Sequence, residues 1–468
     1  MIKAVLWIIL AIFLVPLIAQ GEQLPKVNSY ELDMLFYPDE GNMNGKAIVH
    51  FDNKTVTNDS ICFYLHGELM VDSIIINDKQ IEFNQDKVFY YYSYSLIANE
   101  IQFDLPDDLE NKKIEIYYIG KFNRSESRCL SDYMRIESDG VFLRSYGYSL
   151  WLPTFLTDQT QSYTVDVPKA TFRYPSDFKC VFAGNRIERY SDSNSTVSIW
   201  SAENIDIRDL QCTVQRFRII TEDWLNVFHW NDSISTSKAQ EILEFTRWFN
   251  INCDKRYRKD ALPEQFYIVE MPKFGDIASD NMVGISDRLW KVFGENPHAI
   301  STIAHEIVHS YVQLPIERDD PLYAFVWEGF PSYFDDLLLG EYLSKNWLQE
   351  ELKIVEQSYL KKKKTGLDRR GRTLPKDKPL DQITANEIGD YKDQFILTSR
   401  TSLFFNYIKI MMGEKNYSIF EHELFDMQKI SNNLFRELVI KYLPDYKNEI
   451  DIWLSTTDYP DRFYLENL

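Results

Sequence analysis

Two histidines four positions apart flank a glutamate in the run His305-Glu306-Ile307-Val308-His309. On a helix this spacing places both imidazoles on one face, about 6 Å apart along the axis, so that both reach a single Zn²⁺. Glu306 sits beside the first ligand, where its carboxylate meets a water at the metal instead of the metal itself, the position a general base needs. A third ligand must come from a second helix packed across the first, and Glu328 in Trp327-Glu328-Gly329-Phe330 is the candidate. Three protein ligands leave the fourth position open for water, which makes such a zinc site catalytic and not structural. An accidental match is disfavoured in a chain with only 7 histidines, because the pattern spends two of them at one helical spacing.

The chemistry that follows is hydrolysis. Zinc lowers the pKa of the water, Glu306 takes its proton and later passes it to a leaving amine, and the oxyanion then needs one more donor. A tyrosine hydroxyl serves, and Tyr391 in Gly389-Asp390-Tyr391-Lys392 is a candidate among 29 tyrosines. Asp335 falls on the same helical face as Glu328, two turns on, where it either orients a ligand histidine or is an ordinary exposed acid.

These residues need helices to hold them. Asn296-Pro297 is a helix start, with Asn as N-cap and Pro in the first turn, and Pro315 closes the helix that carries the two histidines. A second helix surrounds Glu328, and Pro331 requires it to kink or to begin near Gly329. Apolar residues at helical spacing mark a helix over 237–249, a buried strand over 266–269, and further helices over 401–412 and 434–443. The basic stretch 361–372 reads as a solvated loop.

Upstream, from about 29 to 212, the periodicity is two. Short alternating runs at 47–51, 61–65, 73–76, 101–105, 114–119, 170–174 and 196–200 are separated by turn clusters and predict an antiparallel sandwich or saddle-shaped sheet. The cluster Tyr90, Tyr91, Tyr92 and Tyr94 fits strand packing better than a binding surface. The fold class is therefore α+β and multidomain: a signal peptide over 1–21, a β-domain over 22–213, a mainly helical catalytic domain over 214–457 and a tail over 458–468.

The 468 residues, 44% of them hydrophobic, suffice for substantial cores. A net charge of −20 argues against nucleic acid or an anionic membrane as partner. Lys3, an apolar run from Ala4 to Ile18 and a polar exit give the layout of a secretory signal, with an uncleaved anchor as the alternative. Cys62, Cys129, Cys180, Cys212 and Cys253 offer no zinc knot and no readable pairing. The sequons at Asn53, Asn58, Asn123, Asn194, Asn231 and Asn416 matter only in a eukaryotic secretory pathway.

With these residues in place the chain resembles the gluzincin aminopeptidases of the aminopeptidase N and leukotriene hydrolase type. The resemblance rests on His305-Glu306-x-x-His309, Glu328 after eighteen residues, and Gly329, Phe330 and Tyr333 following it. It extends over nearly the whole mature chain, through Trp151-Leu152-Pro153 and 167–172 in the β-domain. It implies a saddle-like β-domain, a thermolysin-like catalytic domain, one Zn²⁺ held by His305, His309 and Glu328, and catalytic roles for Glu306 and Tyr391. The strand that binds a substrate's free α-amine in that family corresponds to 277–281, so Asp280, Asn281 and Gly284 become substrate-binding candidates. Asp280 stands where the family has Glu, one carbon shorter, and Tyr391-Lys392-Asp393-Gln394 departs from the family's Tyr-x-Lys-Gly. The stretch 453–460 looks like the family's exit from the catalytic domain, so the family's further C-terminal domains are expected to be missing and the cleft more open.

Three readings follow: an exported aminopeptidase acting on peptides, a peptidase of the same fold that ignores the free N-terminus, and a non-catalytic binding protein. The last must explain why it retains Glu306 and three buried polar ligands.

Overall fold

Alternation of buried and exposed positions along Val27–Tyr37 turns Tyr30, Leu32, Met34 and Phe36 to one face of a strand that lies inside an eight-stranded sheet. In the computed structural model the chain forms two compact units, Met1–Arg216 and Phe217–Leu468. The structure describes residues 27–51, 60–90, 96–105, 113–122, 134–144, 150–155, 164–257, 264–271, 277–279, 281–312, 314–367, 373, 376–388 and 396–458.

In the first unit Val27–Tyr37 pairs antiparallel with Asn42–Phe51 on one side and parallel with Thr164–Pro175 on the other. The turn between the first two strands ends at Gly41, whose φ of 68° suits glycine. Ser195–Asp206 and Asn185–Ser191 extend one flank of the sheet, and Lys113–Lys121, Leu69–Ile76 and Lys79–Ile81 the other. A four-stranded sheet built on Gln211–Gln215 and a three-stranded sheet built on Leu96–Asp104 complete the unit. Phe36, Phe172, Phe182 and Trp200 pack ring against ring within it. The expected β architecture is thus met, with one parallel pair, Val27–Tyr37 beside Thr164–Pro175, where antiparallel pairing was expected throughout. Tyr90 ends a strand, while Tyr91, Tyr92 and Tyr94 lie outside the described residues.

The second unit begins with a mixed five-stranded sheet in the order Arg218–Glu222, Leu225–His229, Phe266–Met271, Met282–Ser286, Ile277–Ser279. The central three are parallel, and all six residues of Phe266–Met271 are buried, as a strand covered on both faces requires. Helix α1 (Ser233–Tyr257) crosses over between the first two parallel strands, longer at both ends than the pattern over 237–249 indicates. A short helix α2 (Asp287–Lys291) precedes helix α3 (Pro297–Val312), which carries the two histidines. Ile300, Ile303, Ala304, Ile307 and Val308 bury one side of α3 in the core. Its polar side is left for chemistry. The edge strand Ile277–Ser279 packs against this helix.

Helix α4 (Phe330–Tyr342), α5 (Trp347–Thr365), α6 (Ile396–Phe425, broken at Gly413 with φ 72°), α7 (Asn432–Tyr442) and α8 (Lys447–Ser455) make the rest. One expectation is corrected here: 361–365 is the last turn of α5 and not loop, with Lys362 buried and Gly366 ending the helix at φ 63°. The aliphatic stem of lysine permits such a position. Among the described residues no helix is long and apolar enough to cross a membrane. The segment 1–26 lies outside them.

Candidate metal centre

Helix α3 starts as its sequence requires. Asn296 accepts the His298 N–H through its side chain at 3.0 Å, and Pro297 occupies the first turn, where its missing N–H costs nothing. The helix is pinned at its far end by Tyr311, whose hydroxyl donates to Asn250 of α1 at 2.7 Å. His305 and His309 therefore face outward from a fixed helix, their rings 4.9 Å apart.

Glu328 comes from an unusual piece of backbone. Phe325–Gly329 is a π-turn, in which the Phe330 N–H reaches back five residues to the Phe325 carbonyl before α4 continues. Pro331 has no N–H and crowds the preceding turn, so the wider turn resolves the conflict that a regular helix would face there. Gly329 is needed for a different reason. A Cβ at this position would stand 2.4 Å from Thr401 Oγ1 and 2.7 Å from Thr401 Cγ2, so only glycine lets α6 approach this closely. Ser332 Oγ then bonds back to the Glu328 carbonyl at 2.8 Å.

The two helices bring three ligand atoms together. Glu328 Oε2 lies 3.5 Å from His305 Nε2 and 3.7 Å from His309 Nε2, and the three ligand atoms are all within 4.8 Å of one another. Tetrahedral zinc with bonds of about 2.0–2.1 Å separates its ligands by about 3.4 Å. The donor set, two imidazole nitrogens and one carboxylate oxygen, fits that ion in both chemistry and size. His309 and Glu328 are 5% and 3% exposed, so the ligands are held by packing and not by solvent-exposed rotamers.

Asp335 supports the set from behind, with Oδ2 3.6 Å from His305 Nδ1. Burial pushes its carboxyl above the ordinary value, while the adjacent His305 imidazole pulls it back down. A buried carboxylate on the far nitrogen fixes the tautomer that leaves Nε2 for the metal. Glu306, 8% exposed, lines a cavity of about 370 Å³ with His305.

Asn281 is buried and its side-chain amide donates to the Gln265 carbonyl at 3.1 Å, while its own carbonyl accepts from Tyr267 N–H at 2.8 Å. Asn281 thereby fixes the hairpin that forms the sheet edge. Gly284 sits mid-strand, opposite Val269 and Ile277. Asp280 and Tyr391 lie outside the described residues. Sequence reasoning passed over Ser332, Asp336, Thr398 and Ser402, which share the cavity with Glu306. Ser332 and Asp336 follow Glu328 at one and two helical turns, and that spacing was the available signal.

A mixed sheet thus backs a helix bearing two histidines, which are answered by a glutamate from the start of the next helix. The solved structures agree at the level of fold. An M1 zinc metallopeptidase from Deinococcus radiodurans matches with a TM-score of 0.66 at 14% identity, over 94% of this chain and 96% of that one. A two-domain M1 zinc metallopeptidase bound to L-arginine gives 0.67 at 14% identity, over 94% and 96%. Native yeast LTA4 hydrolase gives 0.67 at 14% identity, over 94% of this chain and 69% of that one. No family model matches the chain and no curated protein matches it by sequence. The likeness therefore resides in the fold and not in the sequence at large.

Proposed function

We propose that this chain is an exported, zinc-dependent metallopeptidase that hydrolyses peptide bonds at the N-termini of peptides. The observation that carries the reading is the convergence of His305, His309 and Glu328 from two helices at zinc-ligand separations, with Glu306 one position from the first of them. A bound zinc ion supplies Lewis acidity to a water and to the scissile carbonyl. Glu306 takes the proton of the attacking water and delivers it to the leaving nitrogen. Asp335 keeps His305 in the tautomer its ligand role requires. Tyr391 donates to the developing oxyanion, and Asp280 holds the free α-amine, with Asn281 and Gly284 as the other substrate-binding residues. A Deinococcus radiodurans M1 metallopeptidase bound to a Tyr-Ser-Ala substrate supports peptide as the substrate class. The apolar run from Ala4 to Ile18 supports export.

Asp280 in place of the longer family Glu favours a second reading, a peptidase indifferent to the free N-terminus, since an amine clamp is sensitive to the displacement of one carbon. Matched peptides with free and acetylated N-termini, each with and without a chelator, decide between them. Chelator-sensitive cleavage of the free peptide alone supports the aminopeptidase; cleavage of both supports the second reading; bound zinc with cleavage of neither overturns both.

A further inference from the structure

The cavity beside Glu306 has a chemistry of its own. It lies between α3, α4, α5 and α6, and its described lining includes His305 and Glu306 but neither His309 nor Glu328. Three of its five hydroxyls, those of Thr302, Ser332 and Ser402, have spent their protons. Thr302 Oγ1 donates to the His298 carbonyl at 2.8 Å, Ser332 Oγ to the Glu328 carbonyl at 2.8 Å, and Ser402 Oγ to the Ser332 carbonyl at 3.1 Å. A hydroxyl whose hydrogen is committed presents only acceptor lone pairs to a guest.

Two carboxylates join them. Asp335 accepts the Asp336 N–H on Oδ1 and faces His305 with Oδ2. Asp336 accepts Trp347 Nε1 on Oδ1 at 3.0 Å and it too lines the cavity; burial and the neighbouring Asp335 push its carboxyl well above the ordinary value, a cost that a cation in the cavity offsets. Among the described lining residues there is no lysine or arginine, and Val355 is the one wholly apolar side chain, suited to an aliphatic stem. A cavity walled by acceptors and carboxylates favours a donor-rich cation, and ammonium and guanidinium groups are the peptide side chains of that kind.

The cavity's side of the scissile bond follows from proton transfer. Glu306 must reach the leaving nitrogen to protonate it, so the residue that carries this nitrogen lies on the Glu306 side. Resting on the peptidase reading above, we propose that this cavity is a specificity pocket for a lysine or arginine side chain on the residue immediately after the scissile bond, with Asp336 as its specificity-determining carboxylate.

The test uses the full-length zinc-loaded protein and two tripeptides, Ala-Arg-Ala and Ala-citrulline-Ala. Citrulline keeps the shape of arginine and loses its positive charge. Binding is measured by calorimetry in the Glu306→Gln protein, where the ligand survives, and kcat/KM in the protein with Glu306 intact. The arginine peptide is expected to be favoured by about tenfold or more in both, as a charge-assisted contact implies, with Asp336→Asn bringing both ratios towards one. Equal binding of the two peptides overturns the proposal. So does a preference that survives Asp336→Asn unchanged. Preferential binding of the arginine peptide with cleavage of neither overturns the peptidase reading while upholding the cationic pocket.

Discussion

Glu306→Gln removes a proton acceptor while preserving size and leaving all three ligands untouched. Zinc content should stay near one per chain while turnover falls by about 10²-fold or more, the contribution typical of a general base. His309→Ala should lose zinc and activity together, since two ligands do not hold a catalytic ion. Metal analysis beside the rate separates the two outcomes, and normal turnover by Glu306→Gln would remove it from the chemistry. Gly329→Ala tests a residue that touches no metal. Its methyl meets Thr401, whose hydroxyl is already bonded to the Leu397 carbonyl at 2.9 Å and cannot simply rotate away. A cost of about 1–3 kcal/mol in stability is expected from overpacking, together with weaker zinc binding because Glu328 is the preceding residue. Unchanged zinc affinity would show that the π-turn absorbs the methyl. The two histidines were legible in sequence because their spacing is a local property of one helix. The reason for Gly329 was not, because Thr401 is its neighbour only in the folded chain.

At the scale of elements, the central strand Phe266–Met271 carries one polar surprise. Glu270 is fully buried and accepts the Trp230 N–H and the Ser235 hydroxyl, each at 2.8 Å. The same Ser235 hydroxyl also lies 2.8 Å from Asp232 Oδ2, at the N-terminus of α1. One hydroxyl proton faces two carboxylates, and a protonated Glu270 resolves this by donating to Ser235, which then donates to Asp232. Burial, helped by the Asp232 charge, pushes the Glu270 carboxyl up from 4.5 to about 7 against the hydrogen bonds from Trp230 and Ser235 and the charge of Lys291. The folded state thus holds this proton more tightly than the unfolded one. Its contribution, about 3 kcal/mol at most, is full below pH 4.5 and is lost as pH rises through 7. Glu270→Gln mimics the protonated form and should be the more stable protein at pH 8, with the advantage vanishing near pH 4.5. Urea midpoints at the two pH values read this directly, and a difference independent of pH would show that Glu270 stays ionised. The run over 266–269 announced a buried strand, but the state of Glu270 depends on Trp230 and Ser235, whose approach only the crossover of α1 creates.

For the molecule as a whole, the change of periodicity near 215 announces two kinds of architecture, and the two compact units differ in that way. Sheet order was not readable. Val27–Tyr37 pairs in parallel with Thr164–Pro175, and no local signal encodes a pairing across so long a loop. Net charge, in contrast, is legible from composition alone and has a kinetic consequence. A chain with a net charge of −20 surrounds any approaching cation with an attractive field, and salt screens that field over about 10 Å at 0.1 M. If cationic peptides are substrates, kcat/KM for Ala-Arg-Ala should fall several-fold between low salt and about 0.5 M, while the citrulline peptide changes little. Asp336→Asn removes a single acid at the cavity and leaves the long-range field, so it should lower the arginine preference at every salt concentration but keep the slope. Equal salt slopes for the two peptides would mean that the acidic surface plays no part in capture, and would confine any cation preference to the groups that line the cavity.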